Sequence, residues 1–186
     1  NPEATLNAIR ADGWLSTGDL GFVKNGRLIV TGRAKDVIFV NGQNYYAHDV
    51  ERVSEQVEGI ELGRVVACGV FNTVSQKDDI IILVLFKKKL IHFVELAVSL
   101  KNHIYSKMGL EVAHIIPVKD IPKTTSGKIQ RYKMAERYEK GEYDLSIKEL
   151  EILLNEYQAL QVTDTPQDGT EEKLAGICRE VLHINT

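Results

Sequence analysis

A lysine in a run of small polar residues is the first candidate for chemistry in this sequence. Lys128 ends the run TTSGK within PKTTSGKIQR, residues 122–131. The segment does not fit a P-loop, because Pro122 takes the place of the first glycine and Ile129 that of the hydroxyl residue. Small, permissive residues favour an exposed loop, and an ammonium group offers three donors that suit bridging of a carboxylate and a phosphate. By composition alone, a solvated loop lysine remains the simpler interpretation.

Two earlier polar segments contain side chains that suit a nucleotide. Asp19 lies in STGDLG, and its two carboxylate oxygens suit a vicinal diol such as a ribose. Arg33 lies in TGRAKD, and its planar fork of donors suits phosphate or ribose oxygens. Lys35 follows in a connection with few apolar neighbours, which is either a plain linker or a hinge that absorbs a backbone rotation. An ordinary turn aspartate and a plain linker remain open on these residues alone.

Composition restricts the class of protein. The formal net charge of -3 argues against broad affinity for nucleic acid or anionic membranes. No histidine or cysteine spacing suits a metal site, so we expect none. Cys68 and Cys178 lie in apolar patterns, which indicates buried thiols in a reducing, cytoplasmic compartment. The sequence has no 18-residue apolar run and does not start like a signal peptide, so we expect neither a membrane span nor export, and we expect an excised piece of a larger protein.

The elements that must position these residues form an α+β pattern. Asn25-Gly26 and Asn41-Gly42, each between alternating apolar residues, predict β-hairpins over 20–33 and 36–47. β-Branched runs predict a three-stranded sheet from 64–71, 79–88 and 113–121. Apolar periodicity predicts flanking helices over 49–57, capped by Asp49, 92–108 and 129–139. We therefore expect a small three-stranded sheet flanked by helices, with a separate β-hairpin.

The character of the chain changes beyond residue 144. Residues 145–160 predict an extra helix with a capping box formed by Ser146 and Glu149. Its apolar stripe consists of Ile147, Leu150, Leu154 and Tyr157. The polar stretch 161–169 is typical of a linker. The segment TEEKLAGICREVL, within 170–186, predicts a further amphipathic helix.

Three motifs in series carry a resemblance to a known family. WLSTGDLG, GRAKDVIFVNGQNYYAHDVE and PKTTSGKIQR resemble the closing part of the adenylate-forming acyl-activating enzymes, over about residues 12–138. That superfamily includes acyl-CoA synthetases, luciferases and the adenylation domains of nonribosomal peptide synthetases. The resemblance implies Mg-dependent use of ATP to convert a carboxylate into an acyl-adenylate, followed by acyl transfer to a thiol. It also implies a small C-terminal domain that rotates between the two half-reactions against a large N-terminal domain.

The resemblance implies roles for residues that match the motifs. Lys128 would bridge the incoming carboxylate and the α-phosphate during adenylation. Asp19 would hold the ribose hydroxyls, and Arg33 would contact ribose or phosphate. Lys35 would be the hinge residue, and the turn around Gly42 would line the path of the pantetheine arm in the second orientation.

The second motif is most similar to fatty acyl-AMP ligases and to the acyl-loading domains of polyketide and nonribosomal peptide synthetases. Ala47 replaces the proline usual in that subgroup. The L-P-x-Y-M stretch of amino-acid-activating domains is missing before the lysine, which favours an acyl substrate. The last predicted helix is similar to the first helix of acyl or peptidyl carrier proteins, and a C-terminal packing helix is the alternative.

These resemblances define the expected domains and function. We expect residues 1–34 to end a large adenylation core, 35–144 to form the C-terminal subdomain, and 170–186 to begin a carrier domain. The expected function is the lid of an acyl-adenylating ligase whose partners are its own N-terminal core and a phosphopantetheine-bearing carrier protein. A freestanding acyl-CoA ligase and a non-catalytic carrier-docking module are the alternatives. We expect the chain to be inactive by itself, since the acyl pocket and main phosphate-binding loop would lie upstream.

Overall fold

Two β-hairpins form the first part of the structure. The structure is a computed structural model that describes residues 5, 8–9, 12–40, 42–73, 77–161 and 173–174. Strands β1 (Asp19–Lys24) and β2 (Arg27–Arg33) pair in antiparallel register. Asn25 and Gly26 join them with φ angles of 53° and 71°. Positive φ at both turn residues is what a type I′ turn requires, so the predicted hairpin is confirmed.

A single turn of 3-10 helix separates the first hairpin from the second. This turn covers Ala34–Asp36. Strands β3 (Val37–Val40) and β4 (Gln43–Tyr46) then pair in antiparallel register, which confirms the predicted second hairpin. Gly42, with a φ of 79°, lies in the connection between them. A side chain would be strained at that angle, which explains a glycine at this position.

The sheet at the centre of the fold has three strands, as predicted. They are β5 (Val65–Asn72), β6 (Lys77–Leu85) and β7 (His114–Val118), with β6 in the middle. The β5–β6 pair is antiparallel and the β6–β7 pair is parallel. Helix α1 (Ala47–Ser54) precedes this sheet, and helix α2 (Val94–Met108) connects β6 to β7. Such a crossover is what a parallel pair needs.

The central strand β6 is buried on both faces and divides the core into two clusters. Ile80, Ile82 and Val84 pack into the cluster that includes residues of α1 and α2, whereas Ile81 and Leu83 pack into the second cluster. All five side chains are at most 2% exposed. Because side chains alternate along a strand, one apolar run can supply two helix-covered faces.

Helices α3 (Arg131–Glu139) and α4 (Asp144–Gln161) complete the layers. Met134 of α3 is fully buried in the second cluster. Leu150 of α4 is buried in the first cluster, with Leu154 and Tyr157 packed beside it. The extra helix and its apolar stripe are therefore confirmed, and the architecture is the predicted α+β class.

Several predicted boundaries were wrong by a few residues. Helix α1 begins at Ala47, after Tyr46, so Asp49 lies in the first turn and does not cap the helix. Helix α4 begins at Asp144, so Ser146 and Glu149 do not form a capping box at its start. A 3-10 helix, Leu90–Phe93, precedes α2 and takes the place of its predicted first turn. In each case the residues just before the predicted start are already helical, and the apolar pattern does not indicate this.

Some predictions concern residues outside those described. They include Cys178, Asn41 of the second turn, and most of the predicted linker and last helix. Across the described residues, every helix is too short or too polar for a transmembrane span.

Candidate active site

Asp19 and Arg33 form an ion pair at the end of the first hairpin. They are paired residues of β1 and β2, and Arg33 Nε donates to Asp19 Oδ1 at 3.0 Å. The backbone N–H of Asp19 also donates to Thr17 Oγ1 at 3.1 Å. The hydrogen bond from Arg33 is the main cause that lowers the pKa of Asp19 below its ordinary value. The contact uses one oxygen and Nε, so the second oxygen and the terminal guanidinium nitrogens lie outside this ion pair.

Lys128 projects from a turn that is closed by its own hydrogen bonds. We call residues 123–129 the lysine loop, because Lys123 and Ile129 form a β-bridge at its two ends. The N–H of Lys128 donates to Thr124 Oγ1 at 3.0 Å, and its carbonyl accepts from the N–H of Thr124 at 2.8 Å. Gly127 supplies the positive φ, 82°, that the turn requires. These contacts fix the backbone of Lys128 and leave its side chain exposed.

The ammonium group of Lys128 lies within electrostatic reach of Asp19. Its positive charge is among the causes that lower the pKa of Asp19, after the larger effect of Arg33. Among the described residues, the ammonium has no ion-pair partner within 4.0 Å. The structure therefore brings Lys128, Asp19 and Arg33 to one region, although more than 90 residues separate Arg33 from Lys128 in the sequence.

Lys35 occupies the middle of the 3-10 turn between the hairpins, and its side chain is exposed. The first hairpin contacts the rest of the molecule across this turn. Thr31 Oγ1 and the Tyr46 hydroxyl are 3.2 Å apart, and a Cβ at Gly32 would lie 3.0 Å from the Tyr46 ring. Strand β2, which precedes Lys35 in the chain, is therefore in contact with strand β4, which follows it.

The turn around Gly42 is exposed at the tip of the second hairpin. It extends from β3, whose Ile38 and Val40 are buried in the first cluster. The turn is thus anchored to the sheet by its strand, while the tip itself is accessible.

A partly buried ion-pair network centred on Arg131, two residues after the lysine loop, was not found from the sequence. Arg131 Nε and NH2 donate to the two oxygens of Glu51 at 2.8 and 2.6 Å, and NH1 donates to Asp36 Oδ2 at 3.4 Å. Glu51 also accepts from the backbone N–H of Ala67 at 3.1 Å. The hydrogen bond to Glu51 is the main cause that raises the pKa of Arg131. The sequence gives no signal for this pair, because Glu51 lies outside the stripe of Val50, Val53 and Val57 that predicts the helix.

The described residues show no metal cluster at this site, and the two main grooves lie elsewhere. No group of three or more histidine, cysteine, aspartate or glutamate residues in the described ranges is placed to hold a metal ion. Two surface grooves lie beside α2: one of about 240 Å³ between α2, β7 and α4, and one of about 510 Å³ between α2 and the start of β6. Neither groove is lined by Asp19, Arg33 or Lys128. The donors and acceptors that suit a nucleotide therefore lie apart from both grooves.

Comparisons with known proteins place this arrangement in context. No protein-family model matches the chain. The chain is 37% identical over 134 residues to the long-chain-fatty-acid–AMP ligase FadD26 of Mycobacterium marinum, a match that covers 67% of the chain and 22% of that protein. It is 28% identical over 190 residues to the nonribosomal peptide synthetase apvA of Aspergillus terreus, covering 99% of the chain and 20% of that protein. The chain spans a quarter or less of the curated relatives it matches.

Solved structures agree with these relatives. The chain superposes on the structure of McyG A-PCP complexed with phenylalanyl-adenylate with a TM-score of 0.81 and 30% identity, covering all of the chain and 30% of that structure. It also superposes on the multidomain structure of a keto acid-selecting NRPS module with a TM-score of 0.73 and 41% identity, covering 81% of the chain and 13% of that structure. Shared sequence and shared fold agree with the motifs: the chain belongs to the adenylate-forming acyl-activating enzymes and corresponds to their C-terminal subdomain.

Proposed function

We propose that this chain is the C-terminal lid of a larger ligase that activates a carboxylic acid with ATP and passes the acyl group to the phosphopantetheine thiol of a carrier protein, in polyketide or nonribosomal peptide biosynthesis. The observation that carries the proposal is the position of Lys128. Its exposed ammonium lies on a closed turn within electrostatic reach of the Asp19–Arg33 pair.

The adenylation step needs a cation where charge develops. A carboxylate oxygen of the acid attacks the α-phosphorus of ATP, a P–O bond forms, and the bond to pyrophosphate breaks. Negative charge accumulates on the α-phosphate oxygens during this exchange, and a positioned donor stabilises it. Lys128 would bridge the carboxylate and the α-phosphate, Asp19 would accept hydrogen bonds from the ribose hydroxyls, and Arg33 would bind ribose or phosphate oxygens.

Movement of the lysine would come from the hinge and not from the loop. The lysine loop is closed by internal hydrogen bonds, so Lys128 can leave the nucleotide only if the whole subdomain rotates. Lys35, in a single exposed turn between two hairpins, is the position where such a rotation would occur. After rotation, the exposed turn at Gly42 would face the nucleotide region and line the path of the pantetheine arm.

The exposed apolar side chains of the first hairpin support the proposed domain boundary at residue 34. Val23, Leu28 and Val30 of the hairpin, and Trp14 before it, are each more than 60% exposed. Several large apolar side chains exposed on one segment are typical of a surface that packs against another body. We propose that residues 1–34 complete a large adenylation core, that 35–144 form the rotating subdomain, and that 145–160, 161–169 and 170–186 are an added helix, a linker and the start of a carrier domain.

The relatives' names support both an acyl substrate and a carrier acceptor. The similar proteins include a fatty acid–AMP ligase, a nonribosomal peptide synthetase and a structure that contains A and PCP portions. ATP is the co-substrate common to this chemistry. The described residues do not offer a cluster for magnesium, so we assign no step of the ion to this chain.

The test is the Lys128→Ala variant of the full-length ligase. Each half-reaction is measured separately: ATP–pyrophosphate exchange for adenylation, and transfer from preformed acyl-adenylate to a carrier protein or to free CoA. We expect adenylation to fall by at least about 100-fold, because one donor to the developing charge is lost, while transfer stays within about twofold. Lys119→Ala, which removes an exposed lysine just before the loop, is the matched control and is expected to leave both rates unchanged.

Two results would contradict the proposal. Pyrophosphate exchange at the parent rate in Lys128→Ala would show that this lysine does not act in adenylation. Preference for CoA over carrier protein in the transfer assay would replace the carrier-coupled function with that of a freestanding acyl-CoA ligase. We also expect the isolated 186-residue chain to show no pyrophosphate exchange.

A further inference from the structure

The ion-pair network at Arg131 begins two residues after the lysine loop in the chain. Arg131 is the first residue of α3 and follows Lys128 by three positions. Its guanidinium binds Glu51 through two donors, in the bidentate geometry that fixes a side chain in both position and orientation. Its carbonyl oxygen accepts a contact from Cys68 Sγ at 3.6 Å, so the backbone of Arg131 is tied to β5 as well.

The same network reaches the residue next to the hinge. Asp36, which accepts from Arg131 at 3.4 Å, directly follows Lys35. Glu51 lies in α1 and binds the backbone of Ala67 in β5. One guanidinium therefore connects the end of the lysine loop to the first residue beyond the hinge, to a helix and to the sheet.

Burial distinguishes this network from the surface ion pairs of the molecule. The side chains of Glu51 and Arg131 are 10% and 23% exposed. The Arg137–Asp120 pair, whose arginine lies in the same helix α3, has a similar distance of 3.0 Å, but its side chains are 32% and 65% exposed. Exposed pairs add little to stability, whereas removal of one partner from a buried pair leaves an uncompensated charge and is strongly unfavourable. The Glu51–Arg131 pair therefore contributes more to fixing this end of the loop than the Arg137–Asp120 pair does.

We propose that Glu51 and Arg131 are positioning residues for Lys128, which clamp the base of the lysine loop to the segment beyond the hinge so that hinge rotation carries the ammonium group as part of one rigid body. This inference rests on the proposed function of Lys128. The Glu51–Arg131 pair does not contact the reacting atoms; it acts through the backbone between Arg131 and Lys128. Its loss should affect the half-reaction that needs the lysine and spare the other.

The primary test is Glu51→Gln in the full-length ligase, with the two half-reactions measured separately. The amide keeps the shape of the side chain and removes its charge. We expect ATP–pyrophosphate exchange to fall about 10- to 100-fold, the loss that follows from a small misplacement of a catalytic group, while transfer from preformed acyl-adenylate stays within about twofold. Arg137→Gln, which removes the arginine of the more exposed Arg137–Asp120 pair from the same helix, is the matched control and should change neither rate.

A second variant and a second measurement keep the test independent of folding. Arg131→Lys retains a cation but cannot bind both oxygens of Glu51, so it should give the same selective loss at a smaller size. Hydrogen exchange of the amides of residues 124–130, followed by mass spectrometry in the 186-residue chain, reports on the loop without any catalysis. We expect exchange there to rise about tenfold in Glu51→Gln and to stay unchanged in Arg137→Gln.

The outcomes separate this inference from the proposed function. If Lys128→Ala abolishes adenylation but Glu51→Gln and Arg131→Lys do not reduce it, the positioning role is wrong and the function of Lys128 stands. If both half-reactions fall equally in both variants, the pair serves only stability and the inference is again wrong. If Lys128→Ala leaves adenylation intact, the proposed function and the positioning role both fail. Unchanged exchange of the loop amides in Glu51→Gln would refute the clamp without reference to activity.

Discussion

A methyl group added at Gly69 tests how closely the second hairpin packs on the sheet. Gly69 lies in β5 on the face that carries Val65 and Ala67, where β3 crosses the sheet. A Cβ built on Gly69 would lie 2.7 Å from Ile38 Cγ2 and 3.5 Å from Ile38 Cβ. Carbon atoms prefer a separation of about 3.5–4.0 Å, so Gly69→Ala forces β3 and β5 apart by about 1 Å.

The size of the effect follows from the stiffness of Ile38. This residue is β-branched and 5% exposed, so Cγ2 cannot turn away without a change of rotamer inside the core. Overpacking of this kind costs about 1–3 kcal/mol of unfolding free energy. For a domain of about 100 residues this corresponds to a fall in Tm of roughly 5–20 °C.

Thermal unfolding of a double-mutant cycle measures the contact directly. Ile38→Ala removes Cγ2, so in that background Gly69→Ala should no longer destabilise the chain and should add about 0.5 kcal/mol, the usual gain when alanine replaces glycine in a strand. Equal destabilisation by Gly69→Ala in the parent and in Ile38→Ala would refute the close approach. So would a parent-like Tm for Gly69→Ala alone.

Two further predictions concern titratable groups. Burial, followed by the nearby charge of Glu51, raises the pKa of the Cys68 thiol to about 12. In a Cys178→Ser background at pH 8, we therefore expect the folded chain to react with a thiol reagent at least about 1000-fold more slowly than the unfolded chain. Comparable rates in the two states would refute the burial of Cys68. The pKa of Asp19 is lowered chiefly by Arg33, so the Asp19–Arg33 pair should persist at neutral pH and be lost only as the pH falls through that lowered pKa. Carboxyl NMR titration should show the pKa of Asp19 rising in Arg33→Gln, and rising by less in Lys128→Gln; no change in the second variant would mean that the lysine loop lies elsewhere in solution.

Local patterns in the sequence were enough to predict most of the elements. The two asparagine-glycine pairs predicted both hairpins, and the β-branched runs predicted the three strands, because period and turn chemistry are local properties. Asp19, Arg33 and Lys128 were selected as candidate site residues from sequence motifs. The structure adds that Lys128 lies close enough to Asp19 for its charge to lower the pKa of that carboxyl group. Their roles in adenylation remain predictions.

The sequence did not predict the contacts between distant elements. Glu51 and Arg131 are 80 residues apart, and neither period nor composition indicates that they form a bidentate pair. The helix starts were wrong at Asp49 and Ser146, since a favourable capping residue does not fix where a helix begins when earlier residues are also held in helical turns. Close approaches such as Gly32 to Tyr46 depend on the placement of whole hairpins, which only tertiary packing determines.

The parallel pairing of β7 with β6 has a consequence for the order of folding. Strands β5 and β6 are neighbours in sequence and can pair as soon as both have left the ribosome, whereas β7 must wait for helix α2 to cross the sheet. Pairings that close long stretches of chain form slowly, because conformational entropy is lost before the contact is made. Lys128 and Arg131 both follow β7 in the chain, so a nascent chain can position the lysine loop only after the last strand of the sheet has been made. A copy of the chain that ends at β7 would therefore lack both the lysine loop and Arg131.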